Sequence, residues 1–138
     1  MKLFLLALIS AFSLASCDSK SKEDALLIHL KEMSAGVKRF NDAKIEMFHN
    51  LETERLNEDI PKYYLDPTAG DKNSPEDWRE REAQAAIEVG IMLRGKVDES
   101  KSAMHKAYLD FIEASEKYIE LGGDPQVVES LMPSKVEW

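Results

Sequence analysis

The only cysteine of this 138-residue chain, Cys17, is the first residue whose chemistry stands out. It follows an apolar stretch, residues 3–14, that is preceded by the positive charge of Lys2 and ends in the small residues Ala15 and Ser16. A positive n-region, a short apolar h-region and small residues at a cleavage point are typical of a secretory signal peptide. The stretch is shorter than the roughly 20 apolar residues that a membrane-spanning helix needs.

The residues Leu14-Ala15-Ser16-Cys17 resemble the lipobox of bacterial lipoprotein precursors. The resemblance covers residues 1–17. It implies that a dedicated signal peptidase cuts before Cys17 and that lipid is attached to the cysteine sulfur, which anchors the protein on the extracytoplasmic side of a membrane of the bacterial cell envelope. In enteric lipoproteins an aspartate at the place of Asp18 favours the inner membrane over the outer one. The alternative is an ordinary cleaved signal peptide, which would leave an odd thiol in an oxidising compartment.

Glu46 and His49 form the one pattern that could bind a metal. Their Glu-x-x-His spacing matches that of ferritin-like di-iron bundles, which normally need two such motifs and two further carboxylates. One motif could complete a site only in a homodimer, and at about 100° per residue His49 lies roughly 160° from the apolar residue Met47. We therefore interpret His49 as a surface histidine and expect no cofactor beyond the lipid on Cys17. A metal- or cofactor-binding bundle formed by dimerisation remains the alternative function.

No pattern in the sequence predicts catalysis. The sequence contains no Gly-x-Ser-x-Gly motif, and Gly122-Gly123 is not followed by the Gly-Lys-Ser/Thr of a phosphate-binding loop. The spacing of Glu113, Glu116 and Glu120 places these carboxylates along one solvated helix face. His29 and His105 belong to different predicted helices, and a single histidine from either helix is not sufficient to bind haem or a metal ion. We expect a protein that is not an enzyme.

The charge of the chain restricts its partners. The formal net charge is −8, and loss of Lys2 with residues 1–16 makes the remainder one unit more negative. An acidic protein repels nucleic acid and anionic lipid head groups. Residues 17–138 are enough for one modest domain. This domain is expected to bind a protein partner, and the lipid alone is expected to attach the protein to the membrane.

The spacing of apolar residues predicts long helices. From residue 24 onward they recur every three or four positions, as in a helix with one buried line of side chains, here called the seam. We predict helix A over residues 23–57, preceded by a polar tether that ends at residue 23, so that residues 24–138 form the helical domain. The predicted seam residues are Leu26, Leu30, Met33, Val37, Phe40, Met47 and Leu51, with Lys44 at one further seam position.

A second long helix is predicted over residues 75–121. Ser74 fits its N-cap and Pro75 its first turn, and Gly122-Gly123 supplies a left-handed C-cap. Asp124 then caps a short helix over residues 125–131, which Pro133 ends. The predicted seam of helix B comprises Ala86, Val89, Leu93, Val97, Met104, Tyr108, Phe111 and Tyr118.

These elements predict an all-α fold in which helices A and B form a long antiparallel, coiled-coil-like hairpin, with the short C-terminal helix folded against it. A kink is allowed near Gly90 or Gly95, and a break at Gly95 would give a three-helix bundle instead. A two-helix hairpin has a thin core, so dimerisation into four helices is a further prediction.

Aromatic residues concentrate where the predicted seams end. Tyr63-Tyr64-Leu65 lies in the predicted loop of residues 57–73, Trp78 opens helix B, and Trp138 ends the chain. One interpretation is that Tyr63, Tyr64 and Trp78 cover the open end of the hairpin core. The other is that they and Leu65 form a partner-docking patch, because aromatic anchors are enriched at interaction surfaces. The expected function is that of a membrane-anchored, non-catalytic protein-binding or envelope accessory factor.

Overall fold

The structure of the protein, a computed structural model, describes the backbone of residues 2–66 and 75–134, and within these ranges the side chains from residue 19 onward. It contains four helices in these ranges: α1, Lys2–Asn57; α2, Ile60–Leu65; α3, Glu76–Glu120; and α4, Pro125–Leu131. No strand occurs among the described residues. The prediction of an all-α hairpin of two long helices with a short C-terminal helix is confirmed.

The end of α3 has the predicted glycine cap. Gly122 adopts a left-handed backbone with φ = 84°. Its N–H donates to the Ile119 carbonyl at 2.8 Å, and the N–H of Gly123 donates to the Tyr118 carbonyl at 2.9 Å. This pair of bonds is the Schellman motif, which satisfies the last carbonyls of a helix.

The start of α4 has the predicted cap as well. The Asp124 carboxylate accepts a hydrogen bond from the N–H of Gln126 at 2.9 Å, and Pro125 occupies the first helical position. Both residues suit a helix N-terminus, because the carboxylate satisfies a free N–H and proline has none to satisfy. The predicted bounds of α4 are confirmed. The Ser74 N-cap predicted for α3 lies outside the described residues.

Two sequence-based boundaries and one alternative fold differ from the structure. Residues 19–23, assigned to a tether, are helical and belong to α1. The predicted loop after helix A contains α2, which has Pro61 in its first turn. Helix α3 continues without a break through Gly90 and Gly95, so the three-helix alternative is wrong.

The first of two compact units comprises residues up to Lys38 and from Ala107 onward. Its core is formed by Met33 of α1 with Phe111 and Ala114 of α3. Gly36 lies where the two helices come close, since a Cβ built there would be 3.3 Å from the Cβ of Phe111. Partly buried residues of α1, α3 and α4 pack around this core: Leu30, Val37, Ile112, Tyr118, Val128 and Leu131.

The second unit comprises Arg39–Lys106. The Asn57 side chain joins its two helices by donating from Nδ2 to the Ala86 carbonyl at 2.7 Å, and Arg94 forms an ion pair with Glu54. Many of its buried side chains are small or polar. The buried residues are Phe40, Ala43, Met47 and Asn50 on α1, and Ala83, Ala86, Leu93, Val97, Ser100 and Met104 on α3.

The seam of α1 follows a different line from the predicted one. Met33, Phe40 and Met47 are buried as expected, but the positions between them are filled by other residues than predicted. Buried Gly36, Ala43 and Asn50 take the places assigned to Val37, Lys44 and Leu51. Leu51 is 37% exposed and Val89 of α3 is 40% exposed, so neither belongs to the seam. Small residues are favoured at these positions because they let two helices approach closely.

Candidate functional site

An aromatic cluster formed by Tyr63, Tyr64 and Trp78 joins α2 to the first turn of α3. The ring centroids of Tyr63 and Tyr64 are 5.5 Å apart with the planes at 76°. Those of Tyr64 and Trp78 are 5.6 Å apart with the planes at 82°. Both contacts are edge-to-face, the arrangement that the quadrupoles of aromatic rings prefer. Tyr64 is therefore the central ring, in contact with both of the others.

The outer members of the cluster remain accessible to solvent. Tyr63 is 51% exposed and Trp78 is 38% exposed, whereas Tyr64 is partly buried. Leu65, at the end of α2, is also exposed. The structure thus brings together three of the four predicted patch residues. The fourth, Leu65, follows Tyr63 and Tyr64 on α2. Trp138 lies outside the described residues.

Charged residues are close in sequence to the aromatic cluster on both α2 and α3. Lys62 Nζ donates a hydrogen bond to Asp59 Oδ1 at 3.0 Å and lies 4.0 Å from Glu58. The hydrogen bond, and then the charge, of Asp59 raise the pKa of the Lys62 ammonium. On α3, Arg81 pairs with Asp77 at 3.5 Å, and the Nε atom of Arg79 is buried without a hydrogen-bond partner among the described residues.

The possible metal ligands lie on the two long helices α1 and α3. Glu46 and His49 are both exposed, and the His49 carbonyl accepts a hydrogen bond from Thr53 at 2.8 Å. His29 is partly buried and its Nδ1 is 2.7 Å from Glu32 Oε2, while His105 is exposed. Within residues 19–66 and 75–134, no three side chains of His, Cys, Asp or Glu come together in a way that could hold a metal ion.

Cys17 falls within the helical backbone of α1, and its side chain is outside the described part of the structure. Its role as a lipid acceptor therefore stays a prediction from the lipobox resemblance. Among the described residues, no helix combines the length and the apolar character that crossing a bilayer requires.

A groove in the second unit was not predicted from the sequence. It has a volume of about 580 Å³. The aliphatic side chains of Leu51, Ile87 and Ile91 line it, together with Pro61 of α2. A signal was present in the spacing of Ile87 and Ile91, which are four residues apart on α3 and off the predicted seam. The remaining lining residues are Glu54, Arg55, Asn57, Glu58, Ala86, Gly90 and Arg94.

Charges also line this groove. Arg94 donates from Nε to Glu54 Oε1, and this hydrogen bond, followed by the Glu54 charge, raises the pKa of Arg94 above its ordinary value. Arg55 and Glu58 add one charge of each sign from the end of α1. The groove therefore combines an aliphatic floor with balanced charges.

No known protein family, curated protein or solved structure matches this chain.

Proposed function

We propose that this protein is a lipid-anchored, extracytoplasmic protein of a bacterial envelope that acts by binding another protein and not by catalysis. The anchor rests on the resemblance of residues 14–17 to a lipobox, with Cys17 as the lipid acceptor and Asp18 favouring the inner membrane. The binding function rests on the aromatic cluster of Tyr63, Tyr64 and Trp78. The two parts are independent, and each has its own test.

The observation that carries the binding function is a preassembled and accessible aromatic cluster. Tyrosine and tryptophan dominate the energetics of many protein interfaces. Here the edge-to-face contacts through Tyr64 already restrict the rings of Tyr63 and Trp78. A partner that buries them loses less side-chain entropy than it would in ordering free aromatic residues. The exposed Leu65 extends the apolar surface.

The charge near the cluster indicates the kind of protein partner. Asp66 follows α2 directly, and Glu76 and Asp77 precede Trp78. Asp77 is paired with Arg81, so the acidic character comes mainly from the excess of carboxylates over the whole chain, whose net charge is −8. These excess negative charges repel acidic surfaces and nucleic acid. They favour a partner whose contact surface carries Lys or Arg around an apolar centre, since complementary charges steer association and disfavour wrong partners.

Capture from native membranes tests the binding function. The lipidated wild-type protein is compared with a double variant carrying Tyr63→Ala and Tyr64→Ala, and bound proteins are identified by mass spectrometry. Phe48→Ala is the matched control, because Phe48 is also 51% exposed and lies on α1, outside the cluster. We expect the double variant alone to lose the partner while its helicity and melting temperature stay near wild type.

Two results would contradict the docking interpretation. If capture survives the double substitution, the binding surface lies elsewhere. If the double substitution unfolds the hairpin, Tyr63 and Tyr64 cover the end of the core and the other interpretation of these residues is correct.

A further inference from the structure

The groove in the second unit exposes aliphatic surface that the hairpin itself does not bury. Ile91 is 65% exposed, and Leu51 and Ile87 are each more than one-third exposed. All three line one groove of about 580 Å³. Contiguous exposed aliphatic surface of this kind marks interaction sites in proteins that otherwise place such residues in a core.

In the first unit, the corresponding side of α1 is partly buried at Val37. Val37 of α1 packs on the same core as Val128 and Leu131 of α4. Leu51 follows Val37 by fourteen residues, and multiples of seven return to nearly the same side of a helix. In the second unit, however, Leu51 lines an open groove. This side of α1 is therefore suited to packing against a further helix.

The seam of the second unit also buries little apolar volume. Ala43, Ala83 and Ala86 contribute only methyl groups, and Asn50 is buried with no hydrogen-bond partner for its Nδ2 among the described residues. A buried amide that lacks a partner is destabilising. This unit would gain stability from a further layer of helices over Leu51, Ile87 and Ile91.

The charges that line the groove indicate which protein supplies the covering helices. Glu54 and Glu58 oppose Arg55 and Arg94, so this patch is balanced although the whole chain is strongly acidic. A two-fold interface places one patch against an identical copy, and the patch must therefore complement itself in shape and charge. A balanced patch meets this requirement, whereas the acidic remainder of the chain repels a second copy.

We infer that the groove docks a second copy of this chain, groove to groove, so that the two hairpins form a four-helix arrangement. Ile91, the most exposed aliphatic residue of the groove, inserts into the groove of the other copy, where Leu51 and Ile87 receive it. Arg55 and Glu58 border the contact and pair across the two-fold axis. None of Tyr63, Tyr64 and Trp78 lines this groove.

Sedimentation equilibrium of the full chain, purified from membranes in density-matched detergent, tests this inference. Ile91→Asp is compared with Met92→Asp. The two residues are neighbours in sequence and are 65% and 51% exposed, respectively. Their side chains point about 100° apart around α3. Only Ile91 lines the groove. Both variants should keep wild-type helicity, since neither side chain belongs to the core.

Wild type, Met92→Asp and the conservative variant Ile91→Leu are expected to be dimers. Ile91→Asp brings one unpaired carboxylate from each copy into the contact. At about tenfold for each carboxylate, the dimer should weaken by roughly 100-fold. A wild-type protein that stays monomeric at about 100 µM, far above the Kd of a stable dimer, overturns the inference. Equal weakening by both aspartate variants also overturns it.

Discussion

Replacing Gly36 by alanine tests how closely the two long helices approach each other in the first unit. Gly36 lies in the middle of α1, where alanine is the better helix former. An added Cβ would be 3.3 Å from the Phe111 Cβ and 3.4 Å from the Ala107 carbonyl oxygen. These atoms belong to the backbone and the base of a side chain, so they can yield only if α3 itself moves. Gly95, in the middle of α3, is the matched control because a Cβ added there meets nothing within 4 Å.

The two substitutions make the same gain in helix propensity and differ in packing. In a helix interior, alanine is about 1 kcal/mol more favourable than glycine. Gly95→Ala should therefore raise the free energy of unfolding by about 1 kcal/mol. At Gly36 the same gain is opposed by an overpacking cost of about 1–3 kcal/mol. The net effect of this gain and this cost is a loss of about 0–2 kcal/mol. We therefore expect Gly36→Ala to lower the free energy of unfolding by about 1 kcal/mol, the middle of that range.

Urea unfolding followed by circular dichroism measures both free energies. The melting temperatures should separate in the same direction, by roughly 4 °C for each kcal/mol, the value between those of domains of about 100 and of about 150 residues. If Gly36→Ala stabilises the protein as much as Gly95→Ala does, Gly36 is not a point of close helix approach, and the buried line through Gly36, Ala43 and Asn50 is wrong.

Three further predictions concern the core, a helix cap and the anchor. Phe111→Ala should cost about 3–5 kcal/mol in the same unfolding assay, because Phe111 is fully buried; exposed Phe48 changed to alanine should cost little, and equal melting temperatures for the two variants would argue against this core. Asp124→Ala removes the side-chain cap of α4 and should cost about 1 kcal/mol; unchanged amide-exchange protection in α4 would contradict this. Cys17→Ser should abolish lipid attachment and processing before residue 17; a wild-type mature protein without lipid on Cys17, seen by mass spectrometry, would refute the anchor.

Local chemistry allowed the helices and their ends to be predicted from the sequence. Apolar residues at alternating spacings of three and four specify a helix whatever it packs against. Gly122 and Asp124 act on the backbone within a few residues of themselves, and the cap of α3 and the bounds of α4 are as predicted. The short helix α2 lies within the predicted loop of residues 57–73, because Pro61 occupies its first turn, where proline is tolerated.

The residues facing the partner helix could be predicted only in part. Apolar character identified Met33, Phe40 and Met47, which are buried. It also favoured Leu51, which is exposed, over Asn50, which is buried. Which neighbouring side of a helix is covered depends on how closely the second helix approaches it. That distance is a property of both helices, and small residues such as Gly36 and Ala107 reduce it.

The sequence by itself determined the helical class, the helix ends, the lipobox resemblance and the presence of aromatic residues between the long helices. Only the tertiary structure decided that Tyr63, Tyr64 and Trp78 meet, and that Ile87 and Ile91 line a groove with Leu51. The physical reason is that helix periodicity and capping arise from contacts within a few residues along the chain. A surface site, by contrast, consists of the side chains that packing between distant segments brings together and leaves uncovered.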